Sequence, residues 1–502
     1  MVEIRERLAQ LLRETPDDAE AIEHDARWWQ WGRLKQIASA VTAALDGAGL
    51  GRHSRVGLIL QNRPEHVAAL AGLLAGGRVV VTLSPLQPPV RLAADIEQAR
   101  LALVIGSPET LSREGVLDAV TSRGIALEVD DEGEVRERGG TVPHDAETCP
   151  GVAIEMLTSG TTGPPKRVRL SDRQLDGSLV SSGQVPREGR LLSRSVTVAV
   201  APMVHIGGMW RVLGALCAGR RIVLMSKFVL EPWVSAVERY RPRAAGLVPA
   251  ALRSVLDAGV PPERLKSLQV ITSGTTACPP ELADRFFHTY GARVLMTYGA
   301  TEFAGAVAGW TYEMHKAWWA TKAGSAGRPF GDTVLRVTDT DGAELRVGEV
   351  GHLEVRTSQS VQGAGEWVQT SDLARIDADG FLWITGRADD AIIRGGFKVQ
   401  PSVVARILEA HPAVREAGVA GLPDGRLGAV PVAAVELEPG TTVGEAALVA
   451  DLIERCRAEL TPYEVPAYVI VVEALPRTPS SKVSKMDLLD LVRARMAEPA
   501  PA

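Results

Sequence analysis

In the first part of the chain, short apolar segments of strand length alternate with a longer segment of helix length. Val56 to Asn62 (VGLILQN) is largely apolar and has the length of a buried strand. Glu65 to Ala75 has the length and the alanine and leucine content of a helix, and Val79 to Leu83 (VVVTL) is again strand-like. A strand, a helix and a strand in this order predict a parallel sheet with crossover helices.

The same alternation returns later and then gives way to a different pattern. Strand-like segments recur at 195–201 and 221–225, and again near Val270 and Val294. After about Gly348 the chain becomes rich in turns, as in GHLEVRT and in DADGFLWIT, whose Asp-Gly pair is a hairpin signal. These later segments predict a turn-rich β subdomain.

Beyond Arg387 the pattern is that of a small α+β unit. Ile392 to Val399 has the form of a hairpin that turns at Gly395-Gly396, and a helix is predicted to begin at Val403. We therefore predict an α/β protein: a large N-terminal domain of parallel or mixed sheets with crossover helices, including the β subdomain, and a small α+β C-terminal domain. The predicted domains are residues 1–388 and 389–502.

Length and composition narrow the class of protein. A chain of 502 residues with 45% hydrophobic and 23% charged residues is expected to be globular and to have more than one core. The net charge of −6 and the absence of any basic block argue against nucleic acid as a partner. The best apolar stretch, Val67 to Ala75, is far shorter than the roughly 20 residues of a membrane span.

The N-terminus and the cysteines indicate the compartment. The chain starts MVEIRERLAQLLRE, which has apolar residues at helical spacing and lacks the apolar core of a signal peptide. The cysteines lie far apart and form no CxxC or Cys/His metal pattern, which is typical of free thiols in a reducing compartment. We expect a cytoplasmic protein. The cysteines are Cys149, Cys217, Cys278 and Cys456.

The strongest local signal is the segment LTSGTTGPPK at 157–166. Its run of hydroxyl and glycine residues offers many N–H and O–H donors, which suits a loop that wraps a polyphosphate with a lysine adding charge. It is not a Walker-type loop, because Gly160 and Gly163 are wrongly spaced from Lys166. From composition alone, a flexible linker explains the segment equally well.

This loop resembles the phosphate loop of the adenylate-forming superfamily, which comprises acyl- and aryl-CoA ligases, peptide-synthetase adenylation domains and beetle luciferases. Seven further segments resemble the family's other signatures and follow in its order, within a resemblance that covers residues 56 to 485. They are PMVHIGG at 202–208, TSGTT at 272–276, YGATE at 298–302, GSAGRP at 324–329, TSD at 370–372, GRADD at 386–390 and LPRTPSSK at 475–482.

The resemblance implies an ATP site. Tyr298 would stack on adenine, Gly299 would let the acyl group approach the backbone, and Thr301 would donate to the α-phosphate. Glu302 would hold Mg²⁺, a hard cation that prefers oxygen ligands. The implied nucleotide-binding residues are Thr158, Ser159, Gly160, Thr161, Thr162, Gly163, Lys166, Gly274, Thr275, Thr276, Tyr298, Gly299, Ala300, Asp372 and Arg387.

Three charged residues complete the implied catalytic apparatus. Asp372 would accept hydrogen bonds from the ribose hydroxyls, and Arg387 would reach the ribose or the phosphates. Lys482 would bridge the substrate carboxylate and the α-phosphate. Two like charges near 4 Å repel by about 4 kcal/mol at an effective dielectric of 20, so an ammonium between them offsets that repulsion.

The resemblance also places the acid pocket, the hinge and the acceptor channel. His205 would line or gate the acid pocket, although a histidine satisfied within the core is an open alternative. Met209-Trp210 favours an apolar acid, aromatic or cyclic, while core packing explains the same residues equally well. Asp389 would be the hinge about which the small, mobile C-terminal domain turns. The other pocket residues would be Val204, Gly208, Met209, Trp210, Ser273 and Thr297, and the acceptor channel would include Gly395, Gly396 and Lys398.

The expected function is therefore that of an ATP-dependent carboxylic acid ligase of the acid–CoA type. It would form acyl-AMP and pyrophosphate and then pass the acyl group to coenzyme A. Transfer to an amine, as in an amide bond synthetase, uses the same adenylation residues and stays open. A non-catalytic nucleotide or acyl-AMP binding protein is a third interpretation, against which the combination of Lys482, Glu302 and Asp372 argues.

Several positions depart from the family pattern, mostly by the loss of a glycine or an acidic residue. A serine before the catalytic lysine has less backbone freedom than the usual glycine. The departures bear more on the second half-reaction than on the first. They are Arg167 after the loop lysine, Ser371 in the TSD segment, Ser481 before Lys482, Val403 and Val404 in the C-terminal helix, and Ala429 in place of a glutamate.

Overall fold

The computed structural model describes residues 3–158, 166–183, 189–274, 277–360, 363, 365–388, 390–394, 397–424, 426–478 and 482–497. The chain divides into two compact units. The first contains the described residues up to Val334 together with Arg356–Val368, and the second contains Leu335–Val355 and the described residues from Gln369 onward.

Within the described residues the strands are, in chain order, β1 Glu20–His24, β2 Arg27–Gln30, β3 Arg55–Ile59, β4 Val79–Leu83, β5 Leu103–Gly106, β6 Ile125–Val129, β7 Val135–Glu137, β8 Val152–Thr158, β9 Lys166–Ser171, β10 Val196–Ala199, β11 Arg221–Leu224, β12 Ala244–Gly246, β13 Val270–Ser273, β14 Arg293–Ala300, β15 Gly305–Gly309, β16 Arg328–Pro329, β17 Val334–Thr338, β18 Gly351–Arg356, β19 Val368–Ile376, β20 Leu382–Arg387, β21 Ile392–Arg394, β22 Phe397–Val399, β23 Val414–Asp424, β24 Gly428–Leu437 and β25 Tyr468–Val472.

The α-helices are α1 Ile4–Glu14, α2 Trp31–Gly47, α3 Pro64–Ala75, α4 Pro89–Ala99, α5 Pro108–Leu111, α6 Val116–Thr121, α7 Asp172–Ser181, α8 Ile206–Cys217, α9 Leu230–Tyr240, α10 Pro249–Asp257, α11 Pro262–Leu265, α12 Pro280–Tyr290, α13 Tyr312–Lys322, α14 Pro401–Glu409, α15 Glu445–Glu459 and α16 Lys485–Ala497. A 3₁₀ turn spans Thr301–Phe303.

The first unit is built on three sheets. The seven-stranded sheet has the order β7-β6-β5-β3-β4-β8-β9, with parallel pairs in the middle and antiparallel pairs at both edges. Strands β3 and β4 are buried at every residue, as expected for parallel strands that are covered on both faces. The four-stranded sheet is β10-β11-β1-β2, and the five-stranded sheet is β12-β13-β14-β15-β16.

The core of the first unit is centred on α3. This helix is buried from Pro64 to Leu74, and its side chains belong to a hydrophobic cluster that also includes residues of α1, α2 and α8 and of β3 and β11. The apolar segment at 67–75 is therefore a central core helix. None of the helices in the described ranges is both long and apolar enough to cross a bilayer.

The second unit contains two sheets, one of order β17-β18-β19-β20 and one of order β22-β21-β24-β23, with β25 parallel to β24. Helices α14 and α15 contribute Val404, Leu408, Leu448 and Leu452 to one core cluster. Helix α16 contributes Leu488 and Val492 to another. The long hairpin β23–β24 therefore carries helices packed over its apolar residues.

The predicted fold class is confirmed, and most predicted elements lie where the pattern placed them. The strand predicted over 56–62 ends earlier, at Ile59, because Pro64 begins the next helix and the chain turns before it. The hairpin predicted over 392–399 is β21–β22, with Ile392 opposite Val399. The domain boundary at residue 389 stays a prediction.

Candidate active site

The predicted phosphate loop connects two antiparallel strands at one edge of the seven-stranded sheet. Thr158, the last residue of β8, pairs with Lys166, the first residue of β9. The ends of the loop are thus fixed by a strand ladder, in contrast to a Walker loop, which joins a strand to a helix. The five residues Ser159, Gly160, Thr161, Thr162 and Gly163 lie outside the described residues.

Arg167, which departs from the family pattern, has a structural role in the first unit. Its guanidinium forms an ion pair with Asp95 of α4 and donates to the carbonyl oxygen of Thr82 at 3.2 Å. Burial raises the pKa of Asp95, and the nearby Arg167 opposes that rise. Arg167 therefore joins the strand that carries the loop lysine to a neighbouring helix.

Replacing Arg167 by methionine is expected to lower the free energy of unfolding by about 2 kcal/mol, because Asp95 would lose its partner in a largely buried position. Urea denaturation would measure the change. Arg173→Met on the exposed surface of the same unit is the matched control and should change stability by less than about 0.5 kcal/mol. Equal effects of the two substitutions would show that the Arg167–Asp95 pair does not stabilise the fold.

The histidine-containing segment is positioned by a residue that the sequence analysis did not single out. Asn62 follows β3, and its amide donates to the carbonyl oxygens of Ala201 and Met225, each at 3.0 Å. Its carbonyl oxygen accepts from the backbone N–H of Met203 at 2.8 Å. His205 immediately precedes α8 and is partly exposed. The buried amide of Asn62 therefore fixes the backbone that leads into His205.

The tyrosine segment ends β14 and turns back into β15. The antiparallel register shifts between Tyr298 and Gly299, and a Cβ atom at Gly299 would lie 2.1 Å from the carbonyl oxygen of Gly305. A side chain at Gly299 is therefore excluded by the protein itself. This requirement exists in addition to the predicted approach of the acyl group.

Thr301 and Glu302 form the 3₁₀ turn after this bulge. Neither side chain has a hydrogen-bond or ion-pair partner among the described residues, and both are partly exposed. Ala304, which ends the turn, has φ of +51°. Unpartnered oxygen atoms of this kind fit the predicted contacts to a phosphate and to Mg²⁺.

Trp210 of the predicted acid pocket contacts the end of this turn. Its indole N–H donates to the carbonyl oxygen of Ala304, which also accepts from the hydroxyl of Ser178 at 2.9 Å. Gly208 is equally constrained, since a Cβ there would lie 2.1 Å from the carbonyl oxygen of Pro202. Val204 and Met209 are buried beside them. The structure therefore brings the histidine and tyrosine segments together.

The third segment of the first unit, TSGTT, begins in the last two residues of β13. Ser273 pairs with Met296 across parallel strands, and its hydroxyl oxygen is buried without a hydrogen-bond partner among the described residues. Thr297 donates from its hydroxyl to the carbonyl oxygen of Ser273 at 3.4 Å, and a Cβ at Gly274 would lie 2.8 Å from that hydroxyl. Thr275 and Thr276 lie outside the described residues.

In the second unit, the predicted ribose and phosphate ligands face each other on one hairpin. Asp372 of β19 is directly opposite Arg387 of β20. Arg387 donates to the hydroxyl of Ser371, the position where the family commonly has glycine. The backbone N–H of Asp372 donates to the hydroxyl of Thr370 at 3.1 Å. Ser371 thus gives Arg387 a hydrogen-bond acceptor that a glycine at this position could not provide.

Lys482 belongs to this same unit. Its backbone N–H donates to the hydroxyl of Thr478 at 3.3 Å, and its carbonyl oxygen accepts from the N–H of Thr478 at 2.7 Å. Burial and the neighbouring Arg387 lower the pKa of the Lys482 ammonium, whereas Asp372 and Asp390 act in the opposite direction. The charge of the lysine predicted to be catalytic is therefore influenced by both the predicted ribose ligand and the predicted phosphate ligand.

The predicted acceptor channel is only partly described. Lys398 pairs through its backbone with Ile393. The ring of Phe397 stacks on that of Tyr463 with centroids 4.5 Å apart. The predicted hinge residue Asp389 and the turn residues Gly395 and Gly396 lie outside the described residues.

Comparisons with known proteins point to one family. A model of the AMP-binding enzyme family matches residues 8–363, and a model of the AMP-binding enzyme C-terminal domain matches residues 404–482. The first match covers the loop, histidine and tyrosine segments, and the second ends at Lys482. The TSD and GRADD segments lie between the two matches.

The chain is also similar to individual enzymes along almost its whole length. It is 30% identical to the indoleacetate–CoA ligase of Aromatoleum aromaticum, over 94% of this chain and 95% of that one. It is 29% identical to the sulfoacetate–CoA ligase of Cupriavidus necator, over 92% of each chain. Its fold matches the solved structure of the amide bond synthetase McbA from Marinactinospora thermotolerans with a TM-score of 0.81. That match has 24% identity and covers 98% of this chain and 100% of the other.

Proposed function

Because the chain belongs to the AMP-binding enzymes, the adenylate-forming superfamily, we propose that it activates an organic acid as acyl-AMP and then transfers the acyl group to coenzyme A. The observation that carries this proposal is the grouping of Lys482 with Asp372 and Arg387 in one unit. A binding protein would need the ribose and phosphate ligands. It would have no use for a partly desolvated ammonium beside them.

In the first half-reaction a carboxylate oxygen of the acid attacks the α-phosphorus of ATP, and the bond between that phosphorus and the pyrophosphate oxygen breaks. Lys482 stabilises the negative charge shared between the carboxylate and the α-phosphate in the transition state. Thr301 donates its hydroxyl to the α-phosphate. Bound Mg²⁺ would neutralise phosphate charge, and we assign its protein contact to the carboxylate of Glu302, which has no partner in the described part of the chain.

In the second half-reaction the thiol of coenzyme A loses its proton to solvent and its sulfur attacks the acyl carbon, and AMP leaves with the electron pair of the acyl C–O bond. We propose that the smaller domain turns about Asp389 between the two half-reactions, so that Lys482 withdraws and the β21–β22 hairpin reaches the acyl-AMP. Domain rearrangements of this kind commonly gate turnover.

The similarity to two acid–CoA ligases at about 30% identity, over nearly the full length of each, supports coenzyme A as the acceptor.

We also propose a cytoplasmic location. The four cysteines are buried free thiols, and burial raises the pKa of Cys217 and of Cys278 to about 12, so both stay protonated at neutral pH.

An amine acceptor is the second candidate, because of residues in the C-terminal part of the second unit. Val404 is buried in the core at a position where the family commonly has an acidic residue, and Ala429 lies in β24 in place of a glutamate. An amine needs none of the contacts that hold the long coenzyme A arm. The adenylation residues serve either acceptor.

The acceptor assay is expected to yield the acyl thioester. The enzyme would be supplied with ATP, Mg²⁺ and a panel of short, long, aromatic and polycyclic acids, with either coenzyme A or a set of amines, and the products identified by mass spectrometry. An amide without a thioester would assign the second candidate. Failure of every acid to support ATP–pyrophosphate exchange would contradict the adenylating activity itself.

A further inference from the structure

Arg211 is a charged residue of α8 that reaches the edge of the predicted acid pocket. Its Nη2 atom donates to the hydroxyl oxygen of Thr272 at 2.5 Å, and that hydroxyl donates in turn to the carbonyl oxygen of Ala245 at 3.3 Å. A Cβ at Gly246 would lie 2.1 Å from the same Nη2 atom. The guanidinium therefore occupies space left by Gly246 at the ends of β12 and β13.

The carboxyl ends of β12 and β13 lie at the edge of a parallel sheet where ligands commonly bind. Gly246 and Thr272 are paired in register at the carboxyl ends of two parallel strands. Ligands of open α/β sheets bind outside the carboxyl ends of the strands. The next residue of β13 is Ser273, whose buried hydroxyl oxygen has no partner among the described residues. Arg211 thus contacts the residue that precedes Ser273 at the carboxyl end of β13.

Within the part of the chain that the structure describes, the guanidinium of Arg211 has no counter-ion. No carboxylate of the described residues forms an ion pair with Arg211, and only one of its five N–H donors has a partner there. The charged group that acts on it is Arg220, which together with desolvation lowers its pKa. Three other arginines of low exposure each face a carboxylate, namely Arg55, Arg78 and Arg167.

The side chain nevertheless keeps some accessible surface. Arg211 is partly exposed, although Met209 and Val212 on the same helix are buried and desolvation lowers its pKa. The side chain is thus partly accessible, while most of its N–H donors have no partner among the described residues. A partly desolvated cation without a counter-ion is unfavourable, and an anion bound to those donors would compensate it.

We propose that Arg211 binds a second, non-reacting anionic group of the acid substrate, a carboxylate or a sulfonate, by paired hydrogen bonds. A guanidinium presents two parallel N–H donors that match an oxyanion. This assignment rests on the proposed function and deepens it. The substrate is then an acid with charged groups at both ends and an apolar middle against Met209 and Trp210. This substrate differs from the purely apolar acid that the residue types Met209 and Trp210 led us to expect.

The test compares acids that differ only in the distal group. Probes would be the α,ω-dicarboxylates from succinate to sebacate, the benzene dicarboxylates and ω-sulfonated acids, with monomethyl esters and plain monocarboxylates of equal length as neutral partners. The wild-type enzyme is expected to prefer the anionic member of the best pair by at least about 10²-fold in kcat/KM for pyrophosphate release. Arg211→Gln should abolish that preference and leave kcat/KM for the neutral member and the KM for ATP unchanged.

Gly246→Ala supplies a second, milder variant if Arg211→Gln does not fold. Its methyl group would displace the guanidinium, so the KM for the anionic acid should rise while the neutral acid is unaffected. Wild-type activation of neutral acids with no anionic preference would overturn the inference and leave the proposed function intact. The same holds if the preference survives in both variants. A complete lack of activation by any acid would instead contradict the proposed function.

Discussion

Replacing Lys482 by alanine is expected to slow acid-dependent ATP–pyrophosphate exchange by about 10²–10³-fold and to leave the consumption of preformed acyl-AMP intact. The substitution removes only the side chain. The backbone N–H and carbonyl of Lys482 are both held by Thr478, so the loop keeps its conformation. The lost rate is therefore the loss of an ammonium from between two anions.

The pH dependence identifies the ammonium as the active form. Burial and Arg387 lower the pKa of Lys482 in the free enzyme, so the ammonium is lost at a lower pH than from an exposed lysine. The rate of exchange should fall as the pH rises through that lowered pKa, which gives the pH–rate profile a descending alkaline limb. Bound triphosphate favours the ammonium and shifts this limb to higher pH. In Lys482→Arg the guanidinium stays protonated, and the alkaline limb should disappear even though the maximal rate is lower.

Two measurements separate catalysis from folding. Lys316→Ala removes an exposed lysine on the surface of the first unit and should exchange at the wild-type rate. Circular dichroism and the KM for ATP check that Lys482→Ala is folded and still binds nucleotide. Exchange by Lys482→Ala at close to the wild-type rate would refute the role assigned to the lysine.

The segments that touch nucleotide in the proposed mechanism were predictable from the sequence, because their chemistry requires particular residues in a particular order. YGATE is an example: Gly299 is required by a close backbone approach, and the side chains of Thr301 and Glu302 have no partner among the described residues. Such requirements place particular residues close together in the sequence, where they form a recognisable motif. The hairpin of Asp372 and Arg387 was recognisable in a similar way through its turn-rich pattern.

Residues that act through long-range contacts form no such motif. Asn62 binds backbone atoms of Ala201 and Met225, more than a hundred residues further on, and nothing near it in sequence indicates those partners. Its one local sign is a polar amide directly after a buried strand. Arg211 is similar, since its partner Thr272 lies 61 residues away, and only the three-dimensional structure shows that no described carboxylate pairs with it.

The strands β1 and β2 were not predicted for a related reason. They are short, and their sequences EAIEH and RWWQ carry charges that weaken the alternation of apolar and polar residues. Their stability comes from pairing and burial against distant elements, with Ile22 opposite Ile222 of β11. Strand formation depends strongly on such tertiary neighbours.

Replacing Asp372 by asparagine is expected to raise the KM for ATP by about 10–10²-fold with a smaller effect on kcat, because hydrogen bonds to a charged group contribute about 1.5–3 kcal/mol. A carboxylate accepts from both ribose hydroxyls, whereas an amide offers only one accepting oxygen. Asp341 in the same unit is exposed, so Asp341→Asn is the matched control and should bind ATP with the wild-type KM.

Nucleotide analogues make this prediction specific to the ribose. The wild-type enzyme should bind 2′-deoxy-ATP and 3′-deoxy-ATP less tightly than ATP, and Asp372→Asn should discriminate among the three much less, since the group that reads the hydroxyls is altered. Because Asp372 also favours the charged form of Lys482, its removal should move the alkaline limb of exchange to lower pH. Full discrimination by Asp372→Asn, with an unmoved limb, would mean that Asp372 neither binds the ribose nor acts on Lys482.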